Sequence, residues 1–237
     1  MINSLNLFFY YLNESIKEIK NNFKIYLIYI FSLCLASVVQ NGLDLIFSKN
    51  ELILRIISKV LFSIVPILIL SKILYVIKIR NFGVGEYRKI VLRFLLYNFY
   101  YFVLVLLAAA LYFIPAMIAS TIITMRSGFL MTLFLLVPLV YIMIFYSMSP
   151  FIAVFDDENI LNVFSQSKKL TSKNIFLVII NHLCSLLIPG FFSLIILINN
   201  SLLKFSLALI VSVPEAIFSI LMILTTTKIY LYLIEKE

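Results

Sequence analysis

The sequence predicts an all-α polytopic membrane protein with six transmembrane helices, and three observations carry that prediction. The first is composition: 63% of the 237 residues are hydrophobic and 13% are charged, where a globular chain averages roughly half and a quarter. The second is recurrence. Apolar runs long enough to cross a hydrocarbon core, which takes about 20 residues at ~1.5 Å each, return along the whole length. The third is their separation by short polar or charged breaks: "SKNE", "KIRNFGVGEYRK", "TMRSG", "DDENILNVFSQSKKLTSKN" and "INNS".

Taken in order, the spans are expected at 24–47, 57–79, 94–120, 129–154, 174–198 and 204–231. The start, "MINSLNLFFYYLNESIKEIKNNFK", puts aromatics first and then mixes acids with bases. A cleavable signal has a positive start, a short apolar core and a small-residue cleavage site. The first apolar run is therefore expected to remain as an anchor. Within that start, Leu5, Phe8, Phe9, Leu12, Ile16 and Ile19 recur at helical spacing, which reads as an interfacial helix. "GEYRKIVLRF" and "ENILNVFSQSKKL" read as two more, one before each later hairpin. Short breaks at 121–128 and 198–203 make hairpins of spans three with four and five with six. Pro66, Pro115, Pro138, Pro214 and the pair Pro189-Gly190 are expected kinks.

Charge orients the bundle. Six spans put both termini on one side, with the 80–93 and 155–173 connections, and that side collects thirteen of the Lys and Arg residues against five opposite. Positive residues stay on the cytoplasmic side, so both termini are expected there, in the cell membrane. The net charge of +8 then describes a basic rim facing anionic lipid headgroups. No basic stripe on a separate module points to nucleic acid. Membrane lipids are the expected partners, with a membrane-protein partner or a small apolar or amphipathic ligand as further candidates.

The spacing also holds a repeat. Asn22, Asn98 and Asn174 lie 76 residues apart, each followed by an apolar, aromatic-rich run, and Pro138 and Pro214 share the same interval. One transmembrane domain over 1–237, with internal repeat units 1–79, 80–154 and 155–237, is the expected organisation.

Few residues carry chemistry. Glu215 follows Pro214 near the middle of the last span, about 20 Å from Lys228 and about 16 Å from Lys204 along a helix. A carboxylate at such depth either lines a cavity or hydrogen-bonds inside the bundle. Ser212 and Ser219 lie three residues before it and four after it, making a polar strip on one helix face. Lys72, Tyr75 and His182, the one histidine, complete the candidate polar cavity. Lys72 reads first as a side chain that snorkels to the headgroups and second as a counter-ion for Glu215, and His182 reads first as a structural residue.

Asp156, Asp157 and Glu158 with Asn159 read as a solvated turn that caps the third interfacial helix. Cys34 and Cys184 sit in apolar runs and read as small buried hydrophobes. Neither a metal site nor a cofactor is expected, because no spaced Cys/His cluster, Gly-rich phosphate loop, HExxH or GxSxG occurs. No catalytic residue stands out.

The stretch "SMSPFIAVFDDENILNVFSQSKKLTSKNIFL", residues 147–177, resembles a broad group of bacterial six-span proteins. The group includes the YciC-like proteins and the membrane domain attached to some glycerophosphodiester phosphodiesterases. Pro150 matches a proline that ends the fourth span, Asp156 and Asp157 match an acidic turn, and Ser167, Lys168, Lys169 and Leu170 match a helix that leads into the fifth span. The resemblance implies the six-span architecture and is silent on chemistry. The function expected is binding a small apolar or amphipathic solute, or helping its transport. The alternative is a non-catalytic scaffold or accessory subunit for another membrane protein.

Overall fold

The computed structural model describes residues 2–46, 52–83, 86–122, 140–156, 159–195 and 201–236, and these form helices joined by short turns, with no strand among them. The first helix, α1 (Ile2–Asn21), stops at Asn22, and the chain bends by 99° into α2 (Phe23–Ile46). Asparagine explains the break. The Asn22 side chain donates to the Glu18 carbonyl at 3.1 Å, while its own carbonyl accepts from the N–H groups of Ile25 and Tyr26. Such local bonding competes with the regular ladder and lets one residue close a helix and open the next.

The next helix, α3 (Leu52–Phe82), runs through Pro66 and ends at Gly83. Gly83 has φ of 70° and donates its N–H to the Ile79 carbonyl at 2.8 Å, a left-handed cap that favours glycine. Then comes α4 (Tyr87–Ile122), 36 residues long. The second interfacial helix expected from "GEYRKIVLRF" is not a separate element. Tyr87 to Phe94 form the first turns of α4, because no proline or asparagine breaks the helix there.

Residues 140–145 are helical and pass through a turn at 146–148 into α5 (Ser149–Phe155), which starts with Pro150 and is buried along most of its length. Proline suits a helix start, where its missing N–H has no intrahelical acceptor to lose. The Lys78 ammonium donates to the Val154 carbonyl at 2.5 Å and the Arg93 guanidinium to the Ala153 carbonyl at 3.3 Å. Two cations thus meet the negative end of this helix.

The amphipathic α6 (Ile160–Lys173) follows, then α7 (Ile175–Ile195), with Asn174 between them. Asn174 bonds as Asn22 does: its side chain reaches the Leu170 carbonyl at 3.5 Å, and its carbonyl accepts from Leu177 and Val178. Asn98, inside α4, makes the same side-chain bond to Phe94 at 2.6 Å. Asn159 occupies the N-cap of α6 without a side-chain capping bond, so the expected cap is a backbone turn only.

The last helix, α8 (Ser201–Glu235), is the hub. It packs most extensively on α2, then on α7 and α1. Ile220, Leu224, Ile229, Tyr230 and Leu233 lie in its core face, against Phe8, Tyr26, Ile30, Leu177 and Val178.

The helices therefore correct the six-span expectation, and with it the multi-pass description. By length and composition, one described helix, Ile210–Glu235, could cross a membrane, or two if the bent α1–α2 pair is counted as one span. The physical reason lies in packing. The hydrophobicity of α8 is spent largely inward, with 61% of its apolar window buried against other helices. The fourth expected span is interrupted by the 146–148 turn, and its part before residue 140 lies outside the described residues. In the fifth, Ile175–Ser185 counts as a shorter apolar stretch, below the length that crosses a membrane. Without six crossings, the parity argument for two cytoplasmic termini in the cell membrane no longer holds. The three interfacial helices are corrected too: α1 buries Phe8 and Ser15, and α6 buries Val163, Ser167, Leu170 and Thr171 within the bundle.

Candidate functional site

The sequence-predicted polar strip lies where α2 meets α8. Ser212 is buried, and Glu215 and Ser219 are half-buried. The Ser37 hydroxyl, on α2, donates to Glu215 Oε2 at 3.0 Å. The Ser219 hydroxyl donates to the Glu215 carbonyl at 2.9 Å, and the Cys34 thiol donates to the Ser212 carbonyl at 3.4 Å. Pro214 has no N–H to offer the carbonyl four residues back. Two side chains of α2, Cys34 and Ser37, therefore bond α8 on either side of its proline.

Beside this junction runs a groove of about 400 Å³. Its walls are Leu27, Ile30, Phe31, Cys34, Leu35 and Val38 of α2, with Ser212 and Val213 of α8. The alternation has a helical cause. Positions 27, 30, 31, 34, 35 and 38 form one stripe at i, i+3, i+4 spacing, and Ser37 sits at its edge. The site is an apolar trough whose polar lining residues are Cys34 and Ser212, next to the Ser37–Glu215 bond in sequence.

The remaining predicted site residues go elsewhere. Lys72 is half-buried, with its ammonium 4.9 Å from the Tyr75 ring centre and 4.4 Å from that of Tyr87. The two rings meet edge to face at 5.3 Å. This is a cation–π arrangement, and among the described residues Lys72 pairs with no carboxylate. The counter-ion role for Glu215 is thus not what Lys72 does here. His182 belongs to α7; its Nε2 is buried without a hydrogen-bond partner among the described residues, and its carbonyl accepts from Ser185 at 2.8 Å. Lys72 and Tyr75 come together, with Tyr87 added; neither His182 nor the Glu215 strip joins them.

Sequence reasoning missed three polar constellations. Glu18 accepts from Arg80 at 2.9 Å, Lys228 at 3.0 Å and the Tyr26 hydroxyl at 3.1 Å, tying α1 to α3, α8 and α2. It stands in an open cleft of about 350 Å³ with Glu14, Lys17, Asn21 and Asn22. On the rim, the Glu14 carboxyl is held below its ordinary range by the hydrogen bond from Lys17, whose own pKa is raised by the same contact. Second, Asn181 and Thr226 exchange bonds of 3.0 and 3.3 Å in the buried α7–α8 contact. Third, Thr225 donates to the Ser15 hydroxyl at 3.2 Å. The run "TTT" at 225–227 was the available signal, since three hydroxyls in an apolar helix need buried acceptors.

Both cysteines are free, and no three His, Cys, Asp or Glu side chains gather among the described residues. No family model, no curated protein and no solved structure matches this chain. The resemblance to the YciC-like group is corrected accordingly: its architecture needs six spans, and the described helices offer one or two.

Proposed function

We propose that this helical chain is a non-catalytic binding protein that holds a small apolar or amphipathic solute in the α2–α8 groove and so helps its transport. The groove itself carries the reading. Its volume falls within the range of small-molecule sites, roughly 300–1,000 Å³, and such sites pair apolar walls with a few polar groups that fix orientation. Here the walls are aliphatic and aromatic, and Cys34 and Ser212 are the polar residues of the lining. A solute with a hydrocarbon body and one hydrogen-bonding head matches both parts.

The test is titration of the full-length chain with a fluorescent fatty-acid probe carrying a dansyl group on its alkyl chain. Val213→Trp fills the trough from its exposed wall and leaves the core untouched. Probe affinity is expected to fall at least tenfold in that variant while its unfolding midpoint stays within a degree or two. Equal affinity for the two proteins would overturn the reading.

A further inference from the structure

We infer that the exposed apolar flanks of α2, α4 and α7, with the basic end from which these helices run, take anionic lipid as their partner. On α2 this surface shares Leu27, Phe31 and Leu35 with the groove, while the basic end and the flanks of α4 and α7 lie outside the groove's lining. Its geometry follows from contacts already described. Glu18 brings Arg80, near the end of α3, and Lys228, near the end of α8, to Tyr26 at the start of α2. Lys78 and Arg93 bring the end of α3 and the start of α4 together over α5. Asn181 fixes the first turns of α7 beside Thr226 of α8. One end of the bundle therefore gathers the basic ends of α1, α2, α3, α4 and α8 beside the start of α7.

That end is strongly positive. Lys20, Lys24, Arg88 and Lys168 are all exposed there. Among the described residues the acids at the same end are Glu14, Glu18, Glu86, Asp156 and Glu235, and Glu14 and Glu18 already hold Lys17, Arg80 and Lys228. Away from the basic end, the outward side chains turn apolar. Phe31 on α2 is 69% exposed, Leu107 on α4 56% and Leu187 on α7 66%.

On α2 the exposed side chains Leu27, Ile28, Phe31 and Leu35 follow one another at helical spacing, and an apolar stripe of this kind is rarely left to water. Cations at the rim of such a surface match a negative headgroup over acyl chains. Charge decides among occupants. A second copy of this chain would bring +8 against +8, and a neutral apolar partner would leave the rim unanswered. Lipid contact of this kind asks nothing of the number of helices that cross a bilayer, one or two at most among those described.

The experiment measures the unfolding midpoint of the full chain in a mild non-ionic detergent. Phosphatidylglycerol or phosphatidylcholine of identical acyl chains is added, at low salt and in 0.5 M NaCl. Phosphatidylglycerol is expected to raise the midpoint by several degrees more than phosphatidylcholine, and salt should remove most of that difference. The combined variant Lys20→Gln, Lys24→Gln, Arg88→Gln and Lys168→Gln should lose at least half of it. Equal shifts from the two lipids in the unaltered chain would overturn the proposal. So would a difference that salt leaves unchanged, or the same shift produced by inorganic phosphate alone.

Discussion

Glu215 shows how far one side chain can be read from sequence and where the reading stops. A carboxylate beside a proline, in phase with Ser212 and Ser219, was visible in the linear chain. Its partner was not, because Ser37 lies 178 residues away and nothing local says that α2 is the helix that packs there. The bond predicts an asymmetry between two substitutions. Glu215→Gln keeps an oxygen that accepts from Ser37, so stability should change by less than about 1 kcal/mol. Glu215→Leu removes the acceptor from a half-buried junction and should cost about 1–2 kcal/mol. Denaturant unfolding of both variants checks the order; a Gln variant as damaged as Leu would mean that charge, not hydrogen bonding, holds the junction. Lys72 was misjudged for a related reason. Tyr87 belongs to the following helix, and only the fold brings its ring to the ammonium.

At the level of elements, the helices were legible and their ends less so. Periodicity marks a helix, whereas Asn22 and Asn174 break one by side-chain bonds to a carbonyl that composition does not reveal. The 76-residue interval was the one clue to them, and Asn98 shows its ambiguity: the same bond sits inside an uninterrupted α4. Two contacts between elements give measurable expectations. In the α7–α8 pair, Thr226→Val strands the buried Asn181 amide and should cost about 1–3 kcal/mol, whereas adding Asn181→Leu should recover part of the loss. A double-mutant cycle that sums to zero coupling would show the pair to be incidental. At α5, Lys78→Met withdraws a cation from a buried helix end and should destabilise by about 1–2 kcal/mol. Lys78→Arg should restore most of it, as read from unfolding midpoints.

For the molecule as a whole, composition foretold an all-α chain and overstated how many helices could cross a membrane. Apolar content alone cannot distinguish a helix that faces lipid from one wrapped by its neighbours, and α8 is wrapped by α1, α2 and α7. The charge pattern was read as a compass for the bilayer; within the bundle it is also the fastening of α1. Glu18→Gln should loosen that helix by about 1–2 kcal/mol, since its cationic partners stay partly hydrated. Amide hydrogen exchange across residues 2–21 should then quicken roughly 5- to 30-fold, with core amides of α8 unaffected; uniform acceleration would mean that α1 does not open separately. This fastening also imposes an order on assembly. Ser15 finds Thr225 across 210 residues, and the Glu18 cluster waits for Lys228 from the same far segment. During synthesis α1 appears first and docks last. Until the ribosome has made α8, the stripe around Phe8 and Ser15 stays open to whatever else can cover it, so a nascent chain halted before residue 225 should be the form most readily held by a chaperone.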